Sequence, residues 1–185
     1  PAFAVRVGYV GELGWELYIP TDYAGHVYDT LKAAGAAHRI RDAGYRAIES
    51  CRLEKGYLYW SADITPETTP QEAGLGFSVA MGKGDFTGRA ALEAAGALKR
   101  RLVTLSVEGF APFLSGETVL HQVRAVGSLT SAGYGHHLGR TIGFAYLPAE
   151  IAEEQGFTIE AFGMPYAATR GPRCLYDAKM ERLKA

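Results

Sequence analysis

The stretch AVGSLTSAGYGHHLGRTIGFAYL, residues 125–147, holds two runs of apolar, β-branched and small residues around a glycine-rich segment. Four similar runs occur nearby: RLVTLSV at 101–107, ETVL at 117–120, FTIEAF at 157–162 and PYAATR at 165–170. Short, regularly spaced strands with glycine, proline or charged residues between them are typical of small antiparallel barrels and sandwiches. The sequence therefore predicts an all-β unit over residues 98–185.

Residues 1–97 instead mix predicted strands with helices. Strand-like runs at 3–10 and 15–19 indicate a hairpin around Gly11 and Gly14. Helices are predicted after Pro20, with an apolar stripe of Val27, Leu31 and Ala34, then over about residues 44–54 and, briefly, at 88–96. The run GFSVAM at 76–81 is predicted to be a strand. The predicted fold class is α+β, with the mixed region followed by a small antiparallel barrel.

Composition excludes several classes of function. The chain has 19 basic and 20 acidic residues, so its charge gives no reason to expect nucleic acid or an anionic membrane as a partner. Its two cysteines, Cys51 and Cys174, lie far apart in sequence and support neither a disulfide framework nor a zinc site. His136 and His137 are adjacent, point opposite ways if they lie in a strand, and predict no metal site.

The hairpin GYVGELGWELYIP, residues 8–20, has two distinct faces. Leu13, Trp15, Leu17 and Ile19 alternate onto one face, which is predicted to be core. Glu16 shares the opposite face with Tyr18. Glu16 is either an ordinary solvated residue or the floor of a pocket whose ligand presents two adjacent N–H donors.

An arginine lies at the edge of the buried stripe of the second predicted helix. Tyr45, Ile48 and Arg52 fall on one side of this helix. Arg52 either extends its charged end to solvent or holds an anion or a partner carboxylate. The aromatic residues that follow at 57–60 suit either a flat heterocycle or an ordinary core.

Four longer stretches carry a resemblance to a known family. They are YVGELGWELYIP (9–20), GYRAIESCRLEKGYLYW (44–60), DITPETTPQEAGLGF (63–77) and KGDFTGRAAL (83–92). In order and spacing this set resembles the folate-binding aminomethyltransferase family, of which the glycine cleavage system T-protein is the best known member. Within that family, the sequence of these stretches is most similar to the C-terminal region of bacterial FAD-dependent dimethylglycine and sarcosine dehydrogenases.

The resemblance implies a function and a set of roles. The parent protein is expected to transfer a one-carbon unit from an aminomethyl or N-methyl amine donor to tetrahydrofolate. Tyr9 and Glu16 are expected to line the pterin pocket, Arg52 to face the folate site, and Glu12 to be structural. The domain boundaries implied are 1–97 for the C-terminal part of the folate-binding region and 98–185 for the barrel.

The family's presumed catalytic aspartate lies upstream of the YxGExGxE motif, so no catalytic residue is assigned within this chain. The chain starts at Pro1 and enters a strand at once, so it is expected to be a fragment that lacks the first half of the folate-binding domain. The fragment alone is predicted to be inactive. FAD would belong to an upstream domain, if one precedes this region.

Two alternatives remain open at this point. One is a folate-binding module without transferase activity, as in relatives that maintain iron–sulfur clusters, although the stretch EKGYLYW lacks the cysteine and glutamine of their loop. The other is a structural tail of a flavoenzyme that serves oligomerisation. The expected partners are folate, a small amine donor, the missing N-terminal half and a homo-oligomer. The expected compartment is the bacterial cytoplasm, or the mitochondrial matrix in a eukaryote.

Overall fold

A computed structural model describes residues 2–185. The N-terminal region contains a two-stranded antiparallel sheet and three helices. The elements are β1 (Phe3–Val5), β2 (Glu16–Tyr18), α1 (Ala24–Gly35), α2 (Tyr45–Lys55) and α3 (Arg89–Ala94). Short 3₁₀ turns lie at Thr21–Tyr23, Ala36–His38, Gly76–Ser78 and Met81–Lys83. The hairpin and the three predicted helices are confirmed.

Six antiparallel strands close a barrel in the C-terminal region, in the spatial order β3-β6-β5-β4-β7-β8. They are β3 (Arg100–Glu108), β4 (Thr118–His121), β5 (Arg124–Gly135), β6 (Arg140–Pro148), β7 (Phe157–Ala161) and β8 (Met164–Gly171). The predicted fold class is therefore confirmed, and the closed barrel decides between the two all-β architectures. The predicted boundary at residues 97 and 98 falls between α3 and β3, and the division into two domains stays a prediction.

The main hydrophobic core fills the barrel. Leu105, Val119, Leu147 and Ile159 are fully buried within it. A second, smaller cluster joins Leu53 of α2 to Ile142 and Phe144 of β6. Helix α2 is thus packed against the outside of the barrel wall, and this contact positions the candidate site described below.

The run GFSVAM does not form the predicted strand. Instead, one 3₁₀ turn covers Gly76–Ser78 and a second begins at Met81. The hydroxyl and the amide of Ser78 both donate to the carbonyl of Leu75. No strand among residues 2–185 pairs with this run. A strand needs a partner for its backbone groups, whereas these turns satisfy some of them locally.

The hairpin differs from its prediction in two ways. Its arms are three residues each, so residues 6–10, predicted as strand, lie in the connecting loop. The face predicted to be core is largely exposed, with Trp15 at 61% and Leu17 at 42% exposure. Helix α1 likewise buries none of its residues. Within residues 2–185, no second layer covers the apolar face of this two-stranded sheet. Alternation in the sequence shows which side chains share a face, but it does not show whether another element buries that face.

In the described part of the chain, no helix combines the length and the apolar character needed to cross a membrane.

Candidate functional site

The last turn of α2 is buried although three of its four residues are charged. Arg52, Leu53, Glu54 and Lys55 are all inaccessible to solvent, and Gly56 ends the helix in the left-handed conformation at φ 76°. A Cβ at Gly56 would lie 2.2 Å from the carbonyl oxygen of Arg173. This turn is enclosed between the barrel wall and the C-terminal segment, so each charge requires a partner.

Arg52 has all five N–H donors engaged within the protein. Nη1 donates to Asp63 Oδ2 at 2.7 Å and to the Tyr57 carbonyl at 3.2 Å. Nε donates to Glu49 Oε1 at 3.0 Å, and Nη2 donates to Glu49 and, at 2.8 Å, to Ser131 Oγ. Of the alternatives left open by the sequence, the structure shows Arg52 holding partner carboxylates. Its contact with folate stays a prediction.

Burial by itself would lower the pKa of the Arg52 guanidinium. The hydrogen bond to Glu49 and the charges of Asp63 and Glu49 outweigh burial, so the pKa is raised. Arg52 is 1% exposed and therefore remains a buried cation whose charge is neutralised by two carboxylates.

Asp63 is the residue that sequence reasoning missed. Its Oδ2 accepts from Arg52 and from the Tyr59 amide at 2.8 Å, and its Oδ1 accepts from Thr130 Oγ1 at 2.5 Å. The Asp63 carbonyl accepts from the Tyr146 hydroxyl at 2.9 Å. Asp63 therefore attaches the loop after α2 to both the helix and the barrel. Its eleven-residue separation from Arg52 crosses a helix end, so no periodicity in the sequence links the two.

Tyr9 lies beside this network. Its hydroxyl donates to the Leu58 carbonyl at 2.7 Å, and its ring stacks on Tyr57 with centroids 5.8 Å apart and planes 13° apart. Burial raises the pKa of Tyr9, opposed by the nearby charge of Arg52. Arg52 also lies over the ring of Tyr59, at 5.9 Å from its centroid. The predicted aromatic cluster next to an arginine is thus present, and Trp60 is its exposed member.

A cavity of about 440 Å³ opens next to Tyr9, a volume within the range of small-molecule sites. Its walls come from the hairpin loop, the end of α2, the loop after α2 and the C-terminal segment. Most of the lining is apolar, and the cations Lys55 and Arg173 are also part of it. Apolar side chains in its walls include Leu58, Ile64, Leu75, Phe77 and Met180.

Glu16 stands apart from this cavity. Its side chain lies on the exposed strand β2, where Oε2 accepts from the Tyr18 hydroxyl at 2.8 Å. This contact confirms that Glu16 and Tyr18 share a face of the hairpin. Oε1 accepts no hydrogen bond from residues 2–185, so one carboxylate oxygen is free for a ligand. Of the three predicted site residues, the structure brings Tyr9 and Arg52 together and leaves Glu16 at the surface.

The remaining charges of the last turn of α2 bind the barrel and the C-terminal segment. Glu54 Oε1 accepts from the amides of His137 and Leu138 at 2.8 and 2.9 Å. The two histidines lie in the turn between β5 and β6, outside the predicted strands. Among residues 2–185, no group of three or more metal-ligating side chains is arranged to hold an ion.

Lys55 pairs with Asp177 of the C-terminal segment at 2.9 Å. Glu12 of the hairpin loop accepts from the Tyr176 hydroxyl, and its structural role stays a prediction. The segment after β8 is therefore attached to both sides of the cavity.

The C-terminal segment is expected to loosen in acid. Burial disfavours the Asp177 carboxylate, but donation from Lys55 and from two backbone amides lowers its pKa below the ordinary 3.8. A depressed pKa contributes stability above the unfolded-state value, and this contribution is lost as the pH falls through the folded-state value. Amide exchange over residues 173–183 should therefore accelerate as the pH is lowered below 3.8, beyond the intrinsic change in exchange chemistry.

In Asp177→Asn this segment should already exchange faster at neutral pH, whereas Asp85→Asn, in an exposed loop, should leave it unchanged. Equal protection of the segment in wild type and Asp177→Asn at neutral pH would contradict the argument.

Comparison with known proteins relates both regions to characterised domains. Residues 1–83 match the family model of the GCVT N-terminal domain, and residues 100–177 match that of the glycine cleavage T-protein C-terminal barrel domain. The solved structure of glycine cleavage system aminomethyltransferase T from Bartonella henselae superposes with a TM-score of 0.85 and 28% sequence identity. The alignment covers 95% of this chain and 50% of that protein.

Curated relatives include larger enzymes. The chain is 36% identical to mitochondrial sarcosine dehydrogenase of Mus musculus, over 98% of this chain and 21% of the relative. It is 40% identical to 4-methylaminobutanoate oxidase (formaldehyde-forming) of Paenarthrobacter nicotinovorans, over 99% of this chain and 23% of the relative. The chain thus spans between a fifth and a quarter of the length of these two relatives.

Proposed function

Because the chain belongs to the folate-binding aminomethyltransferase family that includes the glycine cleavage T-protein, we propose that its full-length protein transfers a one-carbon unit to tetrahydrofolate. The observation that carries this proposal is the match of both regions, in order, to the two domains of the T-protein. The T-protein from Bartonella henselae is named an aminomethyltransferase, which supports the same class of reaction here.

The proposed donor is a small N-methyl or aminomethyl amine. The support is that two relatives are named for acting on such compounds, sarcosine and 4-methylaminobutanoate. In this proposal a FAD-dependent domain of the same protein would oxidise the amine and pass the electrons to an acceptor, and residues 1–185 would help to transfer the carbon to tetrahydrofolate. The sarcosine dehydrogenase relative is named mitochondrial, so we place the protein in the mitochondrial matrix if it is eukaryotic and in the cytoplasm if it is bacterial.

The missing N-terminal half of the folate-binding domain is the proposed partner of the exposed apolar faces. Trp15 and Leu17 of the hairpin and Leu31 of α1 are more than 40% exposed, which is costly for large apolar side chains. The T-protein relative is about twice as long as the aligned region, so it has a further segment of suitable size. Association into a homo-oligomer stays a prediction.

Within this region, the proposed roles concern binding and orientation. The two carboxylate oxygens of Glu16, Oε1 and Oε2, accept hydrogen bonds from the adjacent amino and ring N–H groups of a pterin. Tyr9 closes the hairpin side of the pocket, and its stack on Tyr57 gives a flat surface for a ring. Arg52 acts toward folate by holding Asp63 and the aromatic loop in place. Holding the reduced folate beside an aminomethyl carbon converts a bimolecular step into a local one.

The test is a transfer assay with two proteins. Full-length protein supplied with an N-methyl amine, tetrahydrofolate and an electron acceptor that reoxidises the flavin should form methylenetetrahydrofolate, detected by its coupled oxidation. The 185-residue chain supplied with an aminomethyl donor should form none, because the proposed catalytic acid lies upstream. Product formation by the isolated chain would contradict the predicted division of roles, and its absence from the full-length protein would contradict the proposed function.

A further inference from the structure

The segment that follows β8 places Arg173 in the wall of the cavity beside Tyr9. The guanidinium Nε donates to the Gly56 carbonyl at 3.2 Å, and Nη1 donates to the carbonyls of Gly74 at 2.8 Å and Ala73 at 3.5 Å. All three acceptors are neutral backbone groups. They orient the side chain but do not neutralise its charge.

Arg173, which is partly buried, differs in this respect from the two fully buried cations nearby. Arg52 and Lys55 each have a carboxylate partner within 3 Å. No acidic side chain among residues 2–185 lies within ion-pair distance of Arg173. An unpaired cation next to an apolar surface is unfavourable, because burial removes water and supplies no counter-charge. The pKa of Arg173 is accordingly lowered, with burial as the main cause.

The unused donors of Arg173 are accessible. Nη2 donates to no acceptor in the described part of the chain, and this atom is not buried. Nη2 therefore keeps its two N–H groups available to water or to a molecule in the cavity. Since the guanidinium is already held at Nε and Nη1, binding through Nη2 would cost little additional side-chain entropy.

We propose that Arg173 binds the carboxylate group of the molecule that occupies this cavity. A guanidinium is the side chain best suited to a carboxylate, and a charged ligand group would supply the missing counter-ion. The Tyr9–Tyr57 stack and the apolar wall fit the uncharged body of such a molecule. The identity of the molecule rests on the proposed function, which offers two sources of a carboxylate. One is the glutamyl end of the reduced folate, and the other is an amino-acid donor.

The experiment compares three probes by calorimetric titration of the full-length protein. Folinate carries the glutamyl carboxylates, tetrahydropterin has the ring without them, and N,N-dimethylglycine is a small donor carboxylate. The variant Arg173→Gln removes the charge and keeps a hydrogen-bond donor. Arg182→Gln is the matched control, because Arg182 lies in the same segment, is exposed, and contacts Glu12 outside the cavity.

If Arg173 holds the glutamyl end, Arg173→Gln should weaken folinate binding about tenfold or more and leave tetrahydropterin binding unchanged. If it holds the donor, the same loss should appear for N,N-dimethylglycine and not for folinate. Arg173→Lys should recover part of the affinity in either case, and Arg182→Gln should bind all probes as wild type does.

Equal losses for folinate and tetrahydropterin would show that Arg173 only supports the cavity wall and would overturn the proposal. Unchanged binding of both carboxylates would overturn it as well, while leaving the proposed function in place. Arg173-dependent binding of N,N-dimethylglycine without any folinate binding would support Arg173 and overturn the proposed function. No binding of any probe by the wild-type protein would overturn both.

Discussion

Arg52→Ala is expected to lower the free energy of unfolding by about 3–5 kcal/mol, the range found when one partner of a buried ion pair is removed. The substitution would leave the fully buried Asp63 carboxylate without its cation and would remove five donors from a site closed to water. It would also remove the link that Arg52 makes between Asp63, in the loop after α2, and Ser131 of the barrel, while Thr130 and Tyr146 still contact Asp63. Urea denaturation of the 185-residue chain, followed by circular dichroism, measures the change.

Arg46→Ala provides the matched control, because Arg46 occupies an exposed position of the same helix and forms no ion pair within residues 2–185. Its effect should stay within about 0.5 kcal/mol. A loss in Arg52→Ala no larger than in the control would show that the network contributes nothing net. Asp63→Asn, which keeps the size of the side chain, should reproduce most of the Arg52→Ala loss, because the pair is broken from the other side.

Glu16→Gln should weaken the binding of folinate to the full-length protein about 100-fold, if Glu16 holds the pterin. Replacing the carboxylate with an amide substitutes a donor for one acceptor oxygen and removes the charge, so two charge-assisted hydrogen bonds are lost. The loss should appear equally with tetrahydropterin, because the contact is to the ring. This pattern separates Glu16 from Arg173, whose proposed contact tetrahydropterin lacks.

Two comparisons make the result decisive. Glu160→Gln alters another exposed glutamate on a strand, remote from the hairpin, and should not change folinate binding. Tyr18→Phe removes only the hydroxyl that donates to Glu16 and should have a smaller effect than Glu16→Gln. Unchanged folinate affinity in Glu16→Gln would mean that Glu16 is an ordinary solvated residue, the alternative that the sequence left open.

Local pattern in the sequence predicts most of the elements. The six barrel strands follow from β-rich runs between turns, and α2 follows from the spacing of Tyr45, Ile48 and Arg52 on one helix side. These signals succeed because strand and helix geometry repeat over two to four residues, so neighbours along the chain carry the information. The order of four longer motifs further predicts the family, which the domain matches confirm.

Contacts between residues that are far apart in the chain are not predicted by local sequence patterns. The pattern around Arg52 shows only that this residue lies at the edge of a buried stripe. Its hydrogen bonds to Asp63 and to Ser131, which is 79 residues away, depend on how α2 packs on the barrel. Likewise, nothing near Arg173 in the sequence indicates that it enters the same cavity as Tyr9.

The physical reason is the range of the interactions. Alternation in residues 13–19 identifies an apolar face, but whether Trp15 is covered depends on a second layer. The β-rich run at 76–81 becomes turns because no strand is placed to pair with it. The sequence by itself therefore determined the elements and their faces, through contacts between near neighbours. Only the tertiary structure decided which faces and charges meet, because burial and ion pairing join residues far apart in the chain.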